Sequence, residues 1–169
     1  IGPTLEARDV LSVLEGSGPP DLRVKSERLA QVLLDAASLD ETAADIVESG
    51  RAAAKFREIV AAQNGDPDVA VEDLEPGAHD STVLAGRSGV VTHVDNRHVN
   101  ELARRAGAPK DHRAGVRLEH RVGDEVQEGD PLLTVYAEKE EKLDQALSFA
   151  TQRKPVRVLP PDEALIEQM

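Results

Sequence analysis

The spacing of hydrophobic residues changes once along this chain, near residue 82, and that change restricts the fold more than any other feature. Before it, apolar residues recur at helical intervals. Leu5, Val10, Leu11 and Leu14 form one face after a Pro3-Thr4 start, where Thr4 is positioned to accept an orphan backbone N–H. Leu22, Leu29, Val32 and Leu33 give a second helix over 22–37, and Ser38-Leu39-Asp40-Glu41 has the capping-box form ahead of a short helix reaching about Ser49. A fourth helix is predicted over 51–63, with Ala52, Phe56, Ile59 and Val60 on its buried side.

After residue 82 the pattern is that of strands. Residues 82–85, 89–94 and 132–137 are strand-like, and Val116, Leu118, His120 and Val122 alternate with Arg117, Glu119 and Arg121 in a half-buried strand. Two helices are expected among them, over 97–106 behind an Asp95-Asn96 cap and over 140–151 with Leu143, Ala146, Leu147 and Ala150 facing inward. A short strand at 156–159 and a loose tail from Pro160-Pro161 complete the pattern. The acidic, Pro- and Gly-containing stretch between the halves reads as a linker. The predicted organisation is thus 1–66 helical, 67–81 linker and 82–169 mixed. The first helices have apolar faces but no sheet to cover, so they read as the end of a larger α/β lobe.

Composition excludes several function classes. Only Phe56, Phe149 and Tyr136 are aromatic, so stacking on nucleic-acid bases is essentially absent, and a net charge of -12 repels phosphate backbones. No nucleic-acid partner is expected. With no cysteine there is no disulfide framework, thiolate nucleophile or Cys-ligated zinc site. No apolar run reaches the roughly 18 residues of a membrane span, so no membrane partner is expected and a cytoplasmic setting is. The basic residues are 14 Arg and 6 Lys. An acidic, Lys-poor surface fits adaptation to high salt, and a GC-rich genome favouring Arg codons accounts for it equally. The opening Ile1-Gly2-Pro3-Thr4 has no charged leader and no initiator Met, and reads as the interior of a longer protein.

Three stretches carry a family resemblance. Ile1-Gly2-Pro3-Thr4-Leu5-Glu6-Ala7-Arg8-Asp9 resembles the Gly-x-x-Leu-Glu-x-x-Glu helix start of thymidine and pyrimidine-nucleoside phosphorylases. Ser49-Gly50 through Phe56, with Ala62-Gln63-Asn64-Gly65-Asp66, is similar to their Ser-Gly…Phe…Ala-Gln-x-Gly-Asp segment. Gly89-Val90-Val91, Gly107 to Asp111, Gly115 to Leu118 and Gly123 to Glu138 resemble their C-terminal domain. The segments Ala108-Pro109-Lys110-Asp111 and Tyr136-Ala137-Glu138 are closest to the AMP phosphorylase branch of that thymidine phosphorylase family.

The resemblance implies an α/β (α+β) chain: helices from the end of a larger α/β phosphorylase lobe, then an α/β-hammerhead C-terminal domain. It implies a pentosyltransferase, a glycosyltransferase in which phosphate, the co-substrate, displaces the base at an anomeric carbon. In the AMP branch the products are adenine and ribose 1,5-bisphosphate, and other nucleoside 5′-monophosphates are further candidates. Thymidine or pyrimidine-nucleoside phosphorolysis is the alternative. The implied partners are small-molecule nucleotide or nucleoside and phosphate, in a homo-oligomer. Such chemistry needs cationic donors around phosphate and a proton donor for the base. The family's Gly-rich phosphate loop and its base-holding Arg/Ser/Lys set are absent from these 169 residues. No catalytic or cofactor-binding residue is assigned, and the chain alone is expected to be inactive.

Further positions have a chemical reading. Asp9 aligns with a family Glu that helps hold a monovalent cation such as K+; its ordinary role is an acid near a helix N-terminus. The histidines His79, His93, His98, His112 and His120 contain no pair spaced for zinc on one helix. Lys139 follows a Gly123-Asp124…Gly129-Asp130 run similar to the half-barrel of lipoyl and biotinyl carriers. Residues 140–147 read as helix instead of a return strand, which opposes that carrier or structural-module reading. Arg104-Arg105 either face a substrate phosphate or offset a helix dipole, with Lys110 and Arg113 beyond them in solvent.

Overall fold

The computed structural model describes residues 1–160 and residue 163. The tail predicted from Pro161 onward lies outside the described residues, apart from Glu163. The chain is α+β and divides into two compact units, one of residues 6–74 and one of residues 1–5 with 75–169.

The helical unit contains most of α1 (Pro3–Leu14), then α2 (Pro20–Ala36), α3 (Ala43–Glu48) and α4 (Arg51–Ala62), followed by a single 3-10 turn at Val71–Asp73. All four predicted helices are present; α4 starts at Arg51 as predicted, and the starts of the others differ. Thr4 lies inside α1 and is not its cap; its own N–H donates to the His112 carbonyl at 3.1 Å. The Ser38 capping box does not form. Ser38 adopts a left-handed φ of 56°, and the Thr42 hydroxyl accepts the Asp45 N–H at 3.1 Å instead. The short link from Ala37 needs a reversal at Ser38, and a cap residue needs extended backbone, so the two roles fall to different residues.

Burial in this unit is shallow. Leu11, Val13 and Ala43 are buried, while α2 and α4 have no buried residue. The predicted inward face of α2 is open, with Leu29 61% and Leu33 71% exposed, and Ile59 of α4 is exposed as well. Val10, Val13, Leu14, Leu22, Leu34 and Ile46 line an apolar cavity of about 450 Å3. The helical period is real, but within the unit there is no sheet to receive it. Arg8 secures the unit's end, its guanidinium donating to the Val71 and Leu74 carbonyls at 2.9 Å each.

The mixed unit has two three-stranded antiparallel sheets. One has the order β1 (His79–Leu84), β5 (Pro131–Ala137), β3 (Gly115–Leu118); the other has β4 (Glu125–Val126), β2 (Gly89–Val94), β6 (Val156–Leu159). The helices α5 (Asn96–Ala106) and α6 (Glu140–Arg153) pack on each other and on the first sheet. Leu102, Leu133, Val91, Val99, Val116, Val126 and Val135 are fully enclosed and form the centre of one core. β5 is covered on both faces, which explains why it reads as a nearly unbroken apolar run. Its one buried polar side chain, Thr134, is satisfied by the Thr82 hydroxyl at 3.2 Å and the Glu119 carboxylate at 2.9 Å.

The alternation over 116–122 does not make one long strand. β3 stops at Leu118, which is 38% exposed, and Val122 is 57% exposed. The chain leaves the sheet because the turn at Gly123-Asp124 requires it: the Asp124 carboxylate accepts the Arg121 N–H at 2.8 Å, and the Gly123 N–H donates to the Val91 carbonyl at 2.8 Å. The first residues of the chain join this unit. Ile1 and Val116 exchange two backbone hydrogen bonds of 2.8 Å, extending the sheet beyond β3.

Candidate functional site

A polar loop runs from Gly107 to Arg113, between α5 and β3. Gly107 ends α5 with φ 124°, a conformation side chains rarely adopt, and a Cβ there would meet the Asp111 carboxylate. The Ala108–Pro109 peptide is cis. Asp111 turns inward, where Lys142 on the first turn of α6 donates to its Oδ2 at 2.5 Å. That ammonium holds the Asp111 carboxyl below the usual carboxylate range.

Arg113 is exposed, as its sequence context suggested, but it is bound at several points. Its Nε donates to the Glu75 carbonyl at 2.8 Å, and its Nη2 reaches the Glu75 carboxylate and the Pro76 carbonyl at 3.0 Å each. Its backbone carbonyl accepts the Gly77 N–H at 2.8 Å, and its N–H donates to Glu138 at 3.1 Å. The residue thus clamps the incoming chain at 75–77. The sequence carried no signal for this, because these partners lie about 38 residues away and two of them are backbone carbonyls. Lys110 is exposed.

The other candidates are dispersed. Arg105 pairs with Glu101 at 2.9 Å and lies over the Phe149 ring at 4.6 Å, so it acts within the α5–α6 pair and not only on the helix dipole. His98 contacts the Asp95 carboxylate at 3.1 Å and meets Phe149 edge-on. Asp95 also caps α5, accepting the His98 N–H at 3.0 Å, and that bond holds its carboxyl below the ordinary value. His120 faces Asp124 at 3.6 Å, His79 is half-buried on β1, and His93 and His112 are exposed. Among the described residues no group of three or more His, Asp or Glu side chains is arranged to hold a metal ion.

Asp9 projects from the second turn of α1. Burial pushes its carboxyl above the ordinary range, and the negative charges of Asp21 and Glu6 push it further the same way. Lys139 directly precedes α6, so β5 is followed by a helix and Lys139 does not sit at a hairpin tip. No helix among the described residues is long and apolar enough to cross a membrane.

Residues 90–154, from β2 to the end of α6, match the pyrimidine nucleoside phosphorylase C-terminal domain. The chain is 52% identical over 174 aligned residues to an AMP phosphorylase of Natronomonas pharaonis, covering 99% of this chain and 35% of that protein. It is 44% identical to an AMP phosphorylase of Thermococcus kodakarensis and 43% identical to one of Methanosarcina barkeri, each over 94% of this chain and 33% of the relative. It therefore spans about a third of the length of the curated relatives it matches. By these matches the chain belongs to the AMP phosphorylase and pyrimidine nucleoside phosphorylase family, whose C-terminal portion it carries.

Proposed function

We propose that this chain is part of an AMP phosphorylase, a pentosyltransferase in which inorganic phosphate displaces adenine from AMP to leave ribose 1,5-bisphosphate. The observation that carries the reading is the 52% identity, over nearly the whole chain, to a protein named AMP phosphorylase. The resemblance of Ala108-Pro109-Lys110-Asp111 and Tyr136-Ala137-Glu138 to that branch supports the same choice. Structurally the 169 residues contribute a scaffold: Arg113, Lys142 and Arg105 are paired with Glu75, Asp111 and Glu101, and none of these three forms a cradle with a proton donor for a departing base. The phosphate cradle and base pocket then belong to the remaining two-thirds of the protein, and the isolated chain is inactive. Asp9 is the candidate ligand of a monovalent cation such as K+, completed by oxygens from outside this chain. The assembly is a homo-oligomer.

A second reading, phosphorolysis of a pyrimidine nucleoside, rests on the match of residues 90–154 to the domain of that name. Release of free base, followed by chromatography with phosphate and either AMP or uridine, separates the two in a longer protein that contains this chain. Adenine from AMP supports the first reading, and uracil from uridine with no adenine overturns it. The isolated 169 residues should release neither.

A further inference from the structure

We propose that the shared outer face of α5 and α6 is an anion site that takes a phosphate-bearing small molecule. Arg97, Asn100, Glu101 and Arg104 of α5 and Phe149 and Arg153 of α6 line one cavity of about 660 Å3 there. Pockets for small ligands lie in the range of about 300–1,000 Å3. The spacing explains the convergence. Residues 97, 100, 101 and 104 fall on one stripe of a helix, and 149 and 153 on one stripe of the other.

That face gathers three arginines that have no ion pair. There are 32 acidic and 20 basic residues, so an arginine has carboxylates to spare around it. Arg23, Arg51, Arg105, Arg113 and Arg117 have each taken one. Arg97, Arg104 and Arg153 have no ion pair and no side-chain hydrogen bond among the described residues, yet all three line the same cavity. Glu101 is the only carboxylate in the lining, and Arg105 binds it at 2.9 Å from outside the cavity. The Phe149 ring fixes that arrangement by holding the Arg105 guanidinium at 4.6 Å. Three arginines without an ion pair therefore line one space, and its one carboxylate, Glu101, is already paired with Arg105.

Guanidinium forks match the oxygens of a phosphate, and their hydrogen bonds to it are charge-assisted. The cavity is larger than inorganic phosphate needs, so a nucleoside phosphate or sugar phosphate is the better fit. The recognised group is the phosphate in either case. The site does not depend on the phosphorolysis reading, because every residue in it belongs to this chain.

The test is titration of the 15N-labelled 169-residue chain with pyrophosphate, AMP, ribose 5-phosphate and adenosine at fixed low ionic strength. Pyrophosphate and at least one of the two phosphate monoesters should produce saturable shifts at the Arg97, Arg104 and Arg153 Nε–H groups and at amides over 97–104 and 149–153. Adenosine should produce none. Arg104→Gln should weaken binding about tenfold, the loss expected for one charge-assisted contact. The combined Arg97→Gln, Arg104→Gln and Arg153→Gln variant should not bind, and its other amides should stay in place because all three side chains are exposed. Non-saturating shifts, equal shifts from chloride at matched ionic strength, or unchanged affinity in the single and triple variants would overturn the proposal.

Discussion

Two aspartates perturbed in opposite directions give opposite responses to pH. The Asp111 carboxyl is held low by Lys142, so its pairing stabilises the fold above the unfolded-state pKa and is lost as pH falls through the folded one. Asp111→Asn should lower Tm at neutral pH, and the gap to the parent should close as both are acidified. A gap that persists in acid would mean the loop needs the side chain's shape and not its charge. Asp9 behaves in reverse. Its carboxyl is raised by burial, so the native state favours the proton, and stability falls as pH rises from the unfolded pKa to the folded one. Asp9→Asn should therefore raise Tm at neutral pH and change little in acid. If K+ at molar concentration removes that advantage while Na+ does not, the cation reading of Asp9 gains support; a destabilised Asp9→Asn would show that the carboxylate is already satisfied.

Among the elements, β5 is the one on which the mixed unit depends. Leu133 is fully enclosed and lies in register with Val83 of β1 on one side and Leu118 of β3 on the other. Leu133→Ala should cost about 2–5 kcal/mol, the range for a leucine deleted from a packed core. Leu118→Ala, at the open end of β3, should cost distinctly less; urea unfolding of both reads the difference. What the sequence reveals follows from the same contrast. β5, α5 and α6 were legible because local pattern and burial agree in them. The strand over 116–122 was overread, because alternation says which face a residue would take in a sheet and not whether a partner strand extends that far. The two-residue β4 was missed, being too short to have a period. Ser38 was chosen over Thr42 as a cap because the capping-box pattern does not encode the reversal at Ser38. The clamp of Arg113 and the shared cavity of the α5 and α6 arginines are tertiary facts.

For the whole molecule, charge is the dominant property. A net charge of -12 on 169 residues repels itself, and salt relieves that repulsion over a Debye length of about 10 Å at 0.1 M and about 3 Å at 1 M. Tm should rise from low to molar KCl, and a flat or falling midpoint would remove the case for salt adaptation. Stability should also be uneven. The fully enclosed residues lie in the mixed unit, while α2 and α4 bury none, so amide exchange should be slowest over 116–137 and distinctly faster over 6–37. Equal protection in both would mean the helical unit is self-sufficient. The backbone exchange between Ile1 and Val116 has a consequence for connectivity. The mixed unit owns residues 1–5 as well as 75 onward, so the chain leaves it after Leu5 and returns to it at Glu75. One proteolytic cut near residue 75 would not release the mixed unit whole. It would strip β3 of its outer rung and leave a bare strand edge, open to pairing with another chain.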